Sequence, residues 1–429
     1  MTNRLRNYGL LGAIALIAFG MTLPTAKAES VADFYKGKTL TLFVGFSPGG
    51  GYDTYSRLLA PHFARNIPGK PKMIVKNKTG AATIVLANWL YNAAPKDGTV
   101  LGMIARGAPT HELLGGTGAK FDPAKFNWLG SMNNEVSVCV TSYRAPAKTF
   151  AELLRNRTVV GTQGPSSDSE VFANFVKNLL GAKLKLISGY PGTAVTVLAM
   201  DRGEVDGICG WSWTSVKLMR GKDLKAGKLN ILLQMALVRH PELPDVPLIT
   251  EFAKTKSERD QMDLIFSRQT MGRPFLLPPG VPEARVAALR KAFMDALKDP
   301  KFVAAAKKSK REINPVSGED VQKLVVKVLA TPTETVLAAQ KNIKAEGKLE
   351  QAVLKYFKDT GTVTRTKRGG RRVYFTLKGK EVRTSVSGSK TKVTVDGKKA
   401  KRKAIKKGMS CTFNWLGHRS GSKNIDCKS

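Results

Sequence analysis

The sequence predicts an α/β protein of two lobes, followed by a small all-β domain. Three observations support this fold class: strand and helix patterns alternate through residues 29–354, two βαβαβ units follow one another, and helix-like composition changes to strand-like alternation near residue 355. A chain of 429 residues, 42% of them hydrophobic, has room for two or three folded domains. We therefore expect a globular protein with a large buried core.

The two βαβαβ units are expected at separate parts of the body. The first has strands at residues 39–44, 72–76 and 100–104, and helices at 52–66 and 81–93. The second has strands at residues 158–161, 184–187 and 205–209, and helices at 169–180 and 194–202. Because the carboxyl ends of parallel strands meet at one edge of a sheet, two units joined by crossing segments direct their loops into one cleft.

The loop after the first strand has the composition of an anion-binding site. Residues 47–51 end in three glycines and lead into a helix, so bare N–H groups and the helix start offer donors with partial positive charge. The loop lacks the Walker lysine and the order G-x-G-x-x-G, which disfavours a nucleotide. A glycine turn that only connects two elements is the alternative, with Asp53 as a helix cap.

A second loop of the same type occupies residues 161–169. It contains two glycines and several hydroxyl side chains between a strand and a helix, so it would offer neutral donors across the cleft. The alternative is a serine-rich linker that caps the next helix.

Five motifs, taken in order, resemble one protein family. They lie at residues 46–53, 77–82, 94–98, 190–193 and 202–207, within a pattern that runs through about residues 30–345. In these motifs the chain resembles the substrate-binding proteins of tripartite tricarboxylate transporters, also called the Bug family. The resemblance implies a type II periplasmic-binding-protein fold. Its parts would be a first lobe (29–130), a second lobe (131–240), and a return to the first lobe with C-terminal helices that cover it (241–350).

The resemblance also implies a function. Such a protein closes on a small carboxylate or related metabolite and delivers it to transporter membrane subunits, as a monomer without a cofactor. The ligand-binding residues that it implies are Ser47, Gly49, Gly50, Gly51, Tyr52, Asp53, Thr79, Gly80, Ala81, Arg106, Thr162, Gln163, Gly164, Ser166, Ser167, Tyr190, Thr193, Asp206 and Trp211. Plainer alternatives are a solvated surface residue for Arg106, a solvated charge for Asp206, and core packing for Trp211, whose surroundings depart from the family pattern.

The sequence gives little support for catalysis. His62, His111, His240 and His418 are scattered, and none accompanies a known hydrolase or metalloprotease motif. We therefore expect a binding protein rather than an enzyme, with no metal.

The N-terminus and the cysteines indicate export. Residues 1–28 combine two arginines, an apolar run and Ala26-Lys27-Ala28, which predicts a signal peptide cleaved after Ala28 and a periplasmic protein in a Gram-negative source. The alternative, a membrane anchor, is disfavoured because the apolar run is shorter than the roughly 20 residues that a span requires. A disulfide is expected between Cys411 and Cys427, whereas Cys139 and Cys209 fit two buried thiols as well as a bond.

The tail, residues 355–429, is a separate basic unit. Of a net charge of +37, it holds 22 Lys and Arg against four Asp and Glu, and it shows strand patterns at 372–377, 381–386 and 391–395 with a hairpin signal at Asp396-Gly397. Export disfavours nucleic acid as its partner, which leaves anionic lipid, a cell-wall polymer, an acidic protein or a plain solvated surface. An alternative function is therefore envelope tethering or polyanion binding through this domain. The sequence leaves open the solute, the permease and the role of the tail.

Overall fold

The computed structural model of this protein describes residues 29–46, 50–165, 167–388, 391–418 and 420–429. Its α-helices are, in chain order, α1 (Val31–Tyr35), α2 (Gly51–Asn66), α3 (Ile84–Asn92), α4 (Phe150–Leu153), α5 (Asp168–Leu180), α6 (Thr193–Asp201), α7 (Trp213–Lys225), α8 (Lys256–Phe266), α9 (Glu283–Lys298), α10 (Pro300–Lys308), α11 (Gly318–Leu329) and α12 (Thr333–Ile343). Short 3-10 helices lie at Ala81–Thr83, Pro123–Lys125, Ile249–Phe252, Ser267–Met271 and Arg402–Ala404.

The strands divide between the body and the tail. Those of the body are β1 (Thr39–Val44), β2 (Lys72–Asn77), β3 (Val100–Met103), β4 (Asn127–Ser131), β5 (Ser137–Ser142), β6 (Thr158–Gly161), β7 (Leu184–Ser188), β8 (Gly207–Ser212), β9 (Leu229–Met235), β10 (Pro274–Leu277), β11 (Val316–Ser317) and β12 (Glu350–Gln351). Those of the tail are β13 (Phe357–Lys367), β14 (Arg372–Leu377), β15 (Lys380–Ser385), β16 (Lys392–Val395), β17 (Lys398–Lys399), β18 (Ser410–Trp415) and β19 (Ser422–Lys428).

The first lobe is built around a six-stranded sheet in the order β11-β4-β10-β3-β1-β2. β1 runs parallel to β2 and β3, whereas β10 runs antiparallel to β3 and β4. Alternate residues of β1 face opposite sides: Leu40 and Leu42 pack with α2 and α9, and Phe43 packs with α3 and α11. Helices therefore cover both faces of this mixed sheet, as the alternating pattern predicts.

The second lobe repeats this plan with a sheet in the order β12-β7-β6-β8-β5-β9. β6 runs parallel to β7 and β8, and β5 runs antiparallel to β8 and β9. Phe172 and Phe175 of α5 pack with Phe266 on one side, and Val197 of α6 and Val216 of α7 lie in the core on the other. Two similar lobes thus confirm the predicted fold class.

The expectation that all of residues 241–350 return to the first lobe is wrong for α8 and α12. Phe266 of α8 and Val336 and Ala339 of α12 belong to the core of the second lobe, together with Phe172 of α5. An amphipathic pattern shows that a helix buries one face, but not which surface covers it. Helices α9, α10 and α11 do pack on the first lobe.

Two body elements differ locally from the predicted ones. The expected helix 81–93 is a 3-10 helix followed by α3, because Ala81, Ala82 and Thr83 have φ angles of 42°, 48° and 84°, which interrupt a regular α-helix. The expected strand 205–209 is β8, which begins two residues later and extends to Ser212.

Two of the segments that connect the lobes are hydrogen-bonded to each other. The chain crosses between β4 and β5, crosses back before β10, and crosses once more between α11 and α12. Between the first two of these segments the N–H of Glu135 donates to the carbonyl of Gln269 at 2.9 Å, and the N–H of Gly272 donates to the carbonyl of Asn133 at 2.9 Å. A paired two-segment connection of this kind is a place where small backbone rotations translate into lobe movement.

The tail forms the predicted all-β domain. Its seven-stranded sheet has the order β15-β14-β13-β18-β19-β16-β17. Phe375 and Phe413 stack in its core with ring centroids 3.8 Å apart. Asp396 and Gly397, with φ angles of 50° and 76°, form the predicted hairpin turn between β16 and β17.

Both disulfides join residues that face each other on neighbouring antiparallel strands. Cys411 of β18 is bonded to Cys427 of β19, as the sequence analysis expects. Cys139 of β5 is bonded to Cys209 of β8, which resolves the choice between thiols and a bond that the sequence left open.

The β domain contacts both lobes of the body. On the second lobe, Leu416 is buried in the same apolar core as Val197 of α6. On the first lobe the contact is polar, because Nη1 of Arg368 lies 3.7 Å from Oδ2 of Asp53 in α2. The domain is therefore seated on one lobe by apolar packing and on the other by charge.

Some predictions fall on residues that the structure does not describe. The signal peptide, residues 1–28, is one of them, and so are the ligand contacts expected of Ser47, Gly49 and Ser166. Among the described residues, no helix combines the length and the hydropathy that a bilayer crossing requires.

Candidate ligand-binding cleft

The two predicted glycine loops lead to one place between the lobes. The hydroxyl of Tyr52, just after the first loop, accepts a hydrogen bond from the N–H of Arg106 at 3.3 Å. Arg106 follows β3 in the first lobe, and its Nε donates to Oδ2 of Asp168, the first residue of α5 in the second lobe, at 2.6 Å. The carboxyl ends of the two sheets thus converge on one cleft.

Arg106 is a buried residue of this cleft, with 3% of its surface exposed. The alternative of a solvated surface arginine is therefore wrong. Its Nη2 lies 2.5 Å from Oδ2 of Asp168 and donates to the hydroxyl of Ser137 at 3.1 Å. Burial acts to lower the pKa of Arg106, but Asp168, Tyr52 and Glu135 together outweigh burial and raise it.

A second buried arginine contacts the same carboxylate. Nη1 of Arg268 lies 3.4 Å from Oδ1 of Asp168, and its Nη2 donates to the hydroxyl of Thr110 at 3.1 Å. Burial acts to raise the pKa of Asp168, but Arg106 and Arg268 outweigh burial and lower it. The Asp168 carboxylate is therefore charged at neutral pH and shared between two guanidinium groups.

A third buried arginine, Arg273, lies at the connection between the lobes. Its Nη2 is 3.0 Å from Oε2 of Glu135, a carboxylate that also accepts from the hydroxyl of Thr214 at 2.8 Å. Its guanidinium lies 4.7 Å from the ring centre of Tyr52, which stacks on Phe46. The aromatic pair and the ion pair fix the position of this arginine.

The buried arginines of the cleft outnumber the carboxylates that contact them. Three buried arginines contact two carboxylates, Asp168 and Glu135. Among the described residues, no acceptor lies within hydrogen-bonding distance of three buried guanidinium nitrogens, which are Nη1 of Arg106, Nε of Arg268 and Nε of Arg273. Because a buried N–H without an acceptor is costly, this arrangement favours an anionic partner.

The second loop is held mainly by contacts within its own lobe. The hydroxyl of Thr162 donates to Glu170 at 2.7 Å, and Nε2 of Gln163 donates to the hydroxyl of Thr193 at 2.9 Å. Ser167 accepts from the N–H of Glu170 as the N-cap of α5, so the capping alternative holds for this residue. These side chains shape the wall of the cleft and place Asp168 at the start of the helix.

The glycines of both loops allow close approach of the backbone. Gly50 is the exposed N-cap of α2 and Gly51 begins that helix, where a Cβ atom would lie 3.3 Å from Nη2 of Arg273. Gly164 has a φ angle of 116°, a conformation that side-chain-bearing residues rarely adopt.

The third expected loop has a supporting role. Thr79 and Ala81 are exposed, and Gly80 has a φ angle of 151°. Thr83, which follows this loop and was not among the expected residues, is buried, and its hydroxyl accepts from the N–H of Ala105 at 2.9 Å. Thr83 therefore fixes the segment that carries Arg106, and its left-handed backbone is strain retained beside the cleft.

One cluster has the donor atoms of a metal site. His240, Glu242 and Glu312 each offer a ligand atom, and these atoms lie within 4.8 Å of one another. The ammonium of Lys217 lies 2.5 Å from Glu242 and contacts Glu312 as well. Burial acts to raise the pKa of Glu312, but its contacts to His240 and Lys217 lower it. The ammonium of Lys217 thus supplies the positive charge of this cluster. The cluster links α7 of the second lobe to the segment after α10.

The body of the chain matches a known family. Residues 57–338 match the family model described as tripartite tricarboxylate transporter family receptor. The chain belongs to this receptor family. The receptor is also 24% identical over 305 residues to the "UPF0065 protein in gbd 5'region" of Cupriavidus necator, an alignment that covers 69% of this chain and 86% of that protein.

Solved structures confirm the fold of the receptor. The periplasmic binding protein BugD superposes with a TM-score of 0.57 at 21% identity, over 74% of this chain and 100% of BugD. MatC of Rhodopseudomonas palustris, solved with bound malate, superposes with a TM-score of 0.55 at 20% identity, over 72% of this chain and 99% of MatC. The family match ends at residue 338, before the β domain.

Two acidic residues of the expected ligand set have structural roles in this receptor. Asp53 is fully buried, and its Oδ1 accepts from Arg57 at 2.7 Å and from Asn77 at 2.9 Å. Asp206 accepts from the N–H of Val159 at 2.7 Å. Because Val159 lies near the amino end of β6, Asp206 is at the edge of the sheet opposite the cleft, and its assignment as a ligand contact is wrong.

Two aromatic residues of the expected set belong to the apolar core of the second lobe. Trp211 is 2% exposed and packs in the same cluster as Val138 and Tyr190, so the packing alternative is correct for its ring. Tyr190 lies against Gly161, and burial raises the pKa of its hydroxyl.

The charged residues at the centre of the cleft were the hardest to find from the sequence. Asp168 lies in the second loop, so the motif at residues 161–169 already indicated its region. Glu135, Arg268 and Arg273 lie in the segments that cross between the lobes, where no motif marks them. The only sequence feature that could have indicated them is their position in the crossing segments, because such segments flank the cleft in a two-lobed binding protein.

Proposed function

We propose that this protein is a periplasmic receptor that binds a small carboxylate between its lobes and delivers it to the membrane subunits of a tripartite tricarboxylate-type transporter. The observation that carries the proposal is the group of buried arginine N–H donors without an acceptor, at the point where both glycine loops end. Family membership supports it, and so does the malate bound to the similarly folded MatC. The role is binding, not catalysis.

The ligand carboxylate would bind to guanidinium groups as well as to main-chain donors. Nη1 of Arg106 and Nε of Arg268 both lack an acceptor among the described residues, and Asp168 already holds other nitrogens of the same two arginines. A ligand oxygen added beside Asp168 would complete the hydrogen bonding of these groups. Charge-assisted bonds of this kind are about twice as strong as neutral ones.

Ligand binding would favour the closed arrangement of the lobes. Arg106 belongs to the first lobe, whereas Asp168 belongs to the second, so their ion pair forms only when the lobes are together. An anion that bridges the same elements adds interactions that exist only in that state. The transporter would then recognise the closed form through its altered outer surface.

A thermal-shift and calorimetric screen of the full chain tests the proposal. The panel contains short dicarboxylates, including malate, and the tricarboxylate citrate. A ligand at about 100 times its Kd should add about 2.7 kcal/mol of stability. We expect Arg106→Gln to abolish the shift and Arg155→Gln, which removes an exposed arginine, to retain it. The proposal fails if no carboxylate binds, or if both variants bind as the unchanged protein does.

The alternative function, tethering through the basic tail, has no support from the comparisons. The family match lies entirely within the body, and the malate-bound structure covers 72% of the chain.

A further inference from the structure

A cavity separates the β domain from the first lobe. It lies between α2, β2 and the turn that joins β13 to β14, and its volume is about 360 Å³. Its lining residues are Arg57, Ala60, Pro61, Met73, Val75, Arg368 and Arg371. Neither the proposed carboxylate site nor the family match accounts for it, because two of its arginines belong to the tail.

The first of its arginines is already fixed in place. Nε of Arg57 donates to Oδ1 of Asp53 at 2.7 Å, Nη1 donates to the carbonyl of Val75 at 3.2 Å, and Nη2 donates to Oδ1 of Asn77 at 2.7 Å. These three bonds hold the plane of the guanidinium group. Arg57 thus presents a charge of fixed position at the cavity wall.

The two tail arginines add charge that is not neutralised. Arg368 shares the carboxylate of Asp53 at 3.7 Å, and no carboxylate of the described residues forms an ion pair with Arg371. Burial, together with the positive charges of Arg372 and Arg57, lowers the pKa of Arg368. Three guanidinium groups therefore surround the cavity with a single carboxylate, Asp53.

The turn that carries these two arginines is held rigidly. Arg368, Gly369 and Gly370 all have positive φ angles, and a Cβ at Gly370 would lie 2.2 Å from the carbonyl oxygen of Arg402. The turn therefore packs against the backbone of its own domain. A fixed turn opposite a fixed Arg57 is a preorganised arrangement, which lowers the cost of binding.

We propose that this cavity binds a small divalent oxyanion of the phosphate or sulfate class. Its two excess positive charges match such an ion, and guanidinium groups suit tetrahedral oxyanions because they offer paired donors. The cavity, of about 360 Å³, has room for such an ion together with ordered waters that complete its hydrogen bonding. The ion would bridge α2 of the first lobe to the β domain.

Calorimetric titration of the full chain with sodium phosphate and sodium sulfate, at constant ionic strength, tests this site. We expect one ion bound per chain. Arg371→Gln should weaken binding about tenfold, the loss of one charge-assisted contact, and this exposed side chain is not needed for folding. Lys407→Gln removes the same charge from the β domain outside the cavity and should change binding less than about twofold.

Two results would overturn the site. One is the absence of binding by either ion, and the other is equal weakening by Arg371→Gln and Lys407→Gln. Competition separates this site from the cleft: phosphate binding should be unchanged when the cleft is saturated with a carboxylate found in the screen, and competition between the two would place the ion between the lobes instead.

Discussion

The guanidinium of Arg106 and the carboxylate of Asp168 form a buried ion pair between the two lobes, with Nε 2.6 Å from Oδ2. The two residues are 62 positions apart and follow strands of different sheets. Removing one partner of a buried pair is strongly destabilising because the other charge is left uncompensated. The pair therefore couples the stability of the fold to the arrangement of the lobes.

Asp168→Asn is expected to reduce the free energy of unfolding by about 3 kcal/mol, because Arg106 and Arg268 lose their shared counter-charge. Denaturant unfolding at pH 7 measures this loss. Asp263→Asn, on the exposed face of α8, is the matched control and should change the free energy by less than about 0.5 kcal/mol. Equal stability of the two variants would contradict the role assigned to Asp168.

The same carboxylate predicts a pH dependence. Burial acts to raise the pKa of Asp168, but Arg106 and Arg268 outweigh it, so the folded-state pKa lies below the unfolded value of about 3.9. The stability that this group contributes is present above the unfolded pKa and is lost as pH falls through the folded pKa. Unfolding free energies should therefore converge between the unchanged protein and Asp168→Asn as the pH is lowered below about 4. A constant difference down to pH 2 would argue against it.

Thr83→Val should lower the free energy of unfolding by about 1–3 kcal/mol, since it leaves the N–H of Ala105 without its acceptor while keeping the side-chain shape. Ligand affinity should fall as well, because the adjacent Arg106 loses its support. The control is Thr79→Val in the same loop, where the side chain is exposed and little change is expected. Urea unfolding and calorimetry measure the two effects, and a stability equal to that of the control would refute the role of Thr83.

The disulfide of the small β domain should stabilise that domain rather than the body. Cys411 and Cys427 are 16 residues apart, and closing a loop of this length contributes about 3 kcal/mol on the chain-entropy account. We expect the double change to serine to speed hydrogen exchange in peptides from residues 357–428, with little effect on the first lobe. Hydrogen-exchange mass spectrometry gives both values in one experiment. Unchanged exchange in the β domain would show that its apolar core suffices.

Local sequence patterns predicted the bounds of strands well where a single hydrophobic pattern is present. β1 and β14 have the predicted bounds, because strict alternation or a run of β-branched and aromatic residues admits one conformation. The convergence of the two loops was predictable for a topological reason, because the carboxyl ends of parallel strands lie at one edge of each sheet. The chemistry of the cleft was less predictable, because Arg268 and Arg273 reach Asp168 and Glu135 only through the three-dimensional path of the chain.

Resemblance to a family also has a physical limit. It places Asp53 in the ligand loop, yet this chain has a tail whose Arg368 contacts the same carboxylate, and no motif of the body encodes that contact. Asp206 shows a second limit. A motif gives the order of residues along the chain, but it does not tell at which edge of the sheet a residue lies.

The β domain contacts the two lobes with different strength, and this difference predicts which lobe it follows when the lobes move. Leu416 is rooted in the apolar core of the second lobe, whereas Arg368 meets Asp53 only through a polar contact at 3.7 Å. If the lobes open, we expect the single polar contact to break before the apolar packing, so that the β domain moves with the second lobe. Opening would then expose Asp53 and the neighbouring face of α2 to solvent, and closing would bury them again.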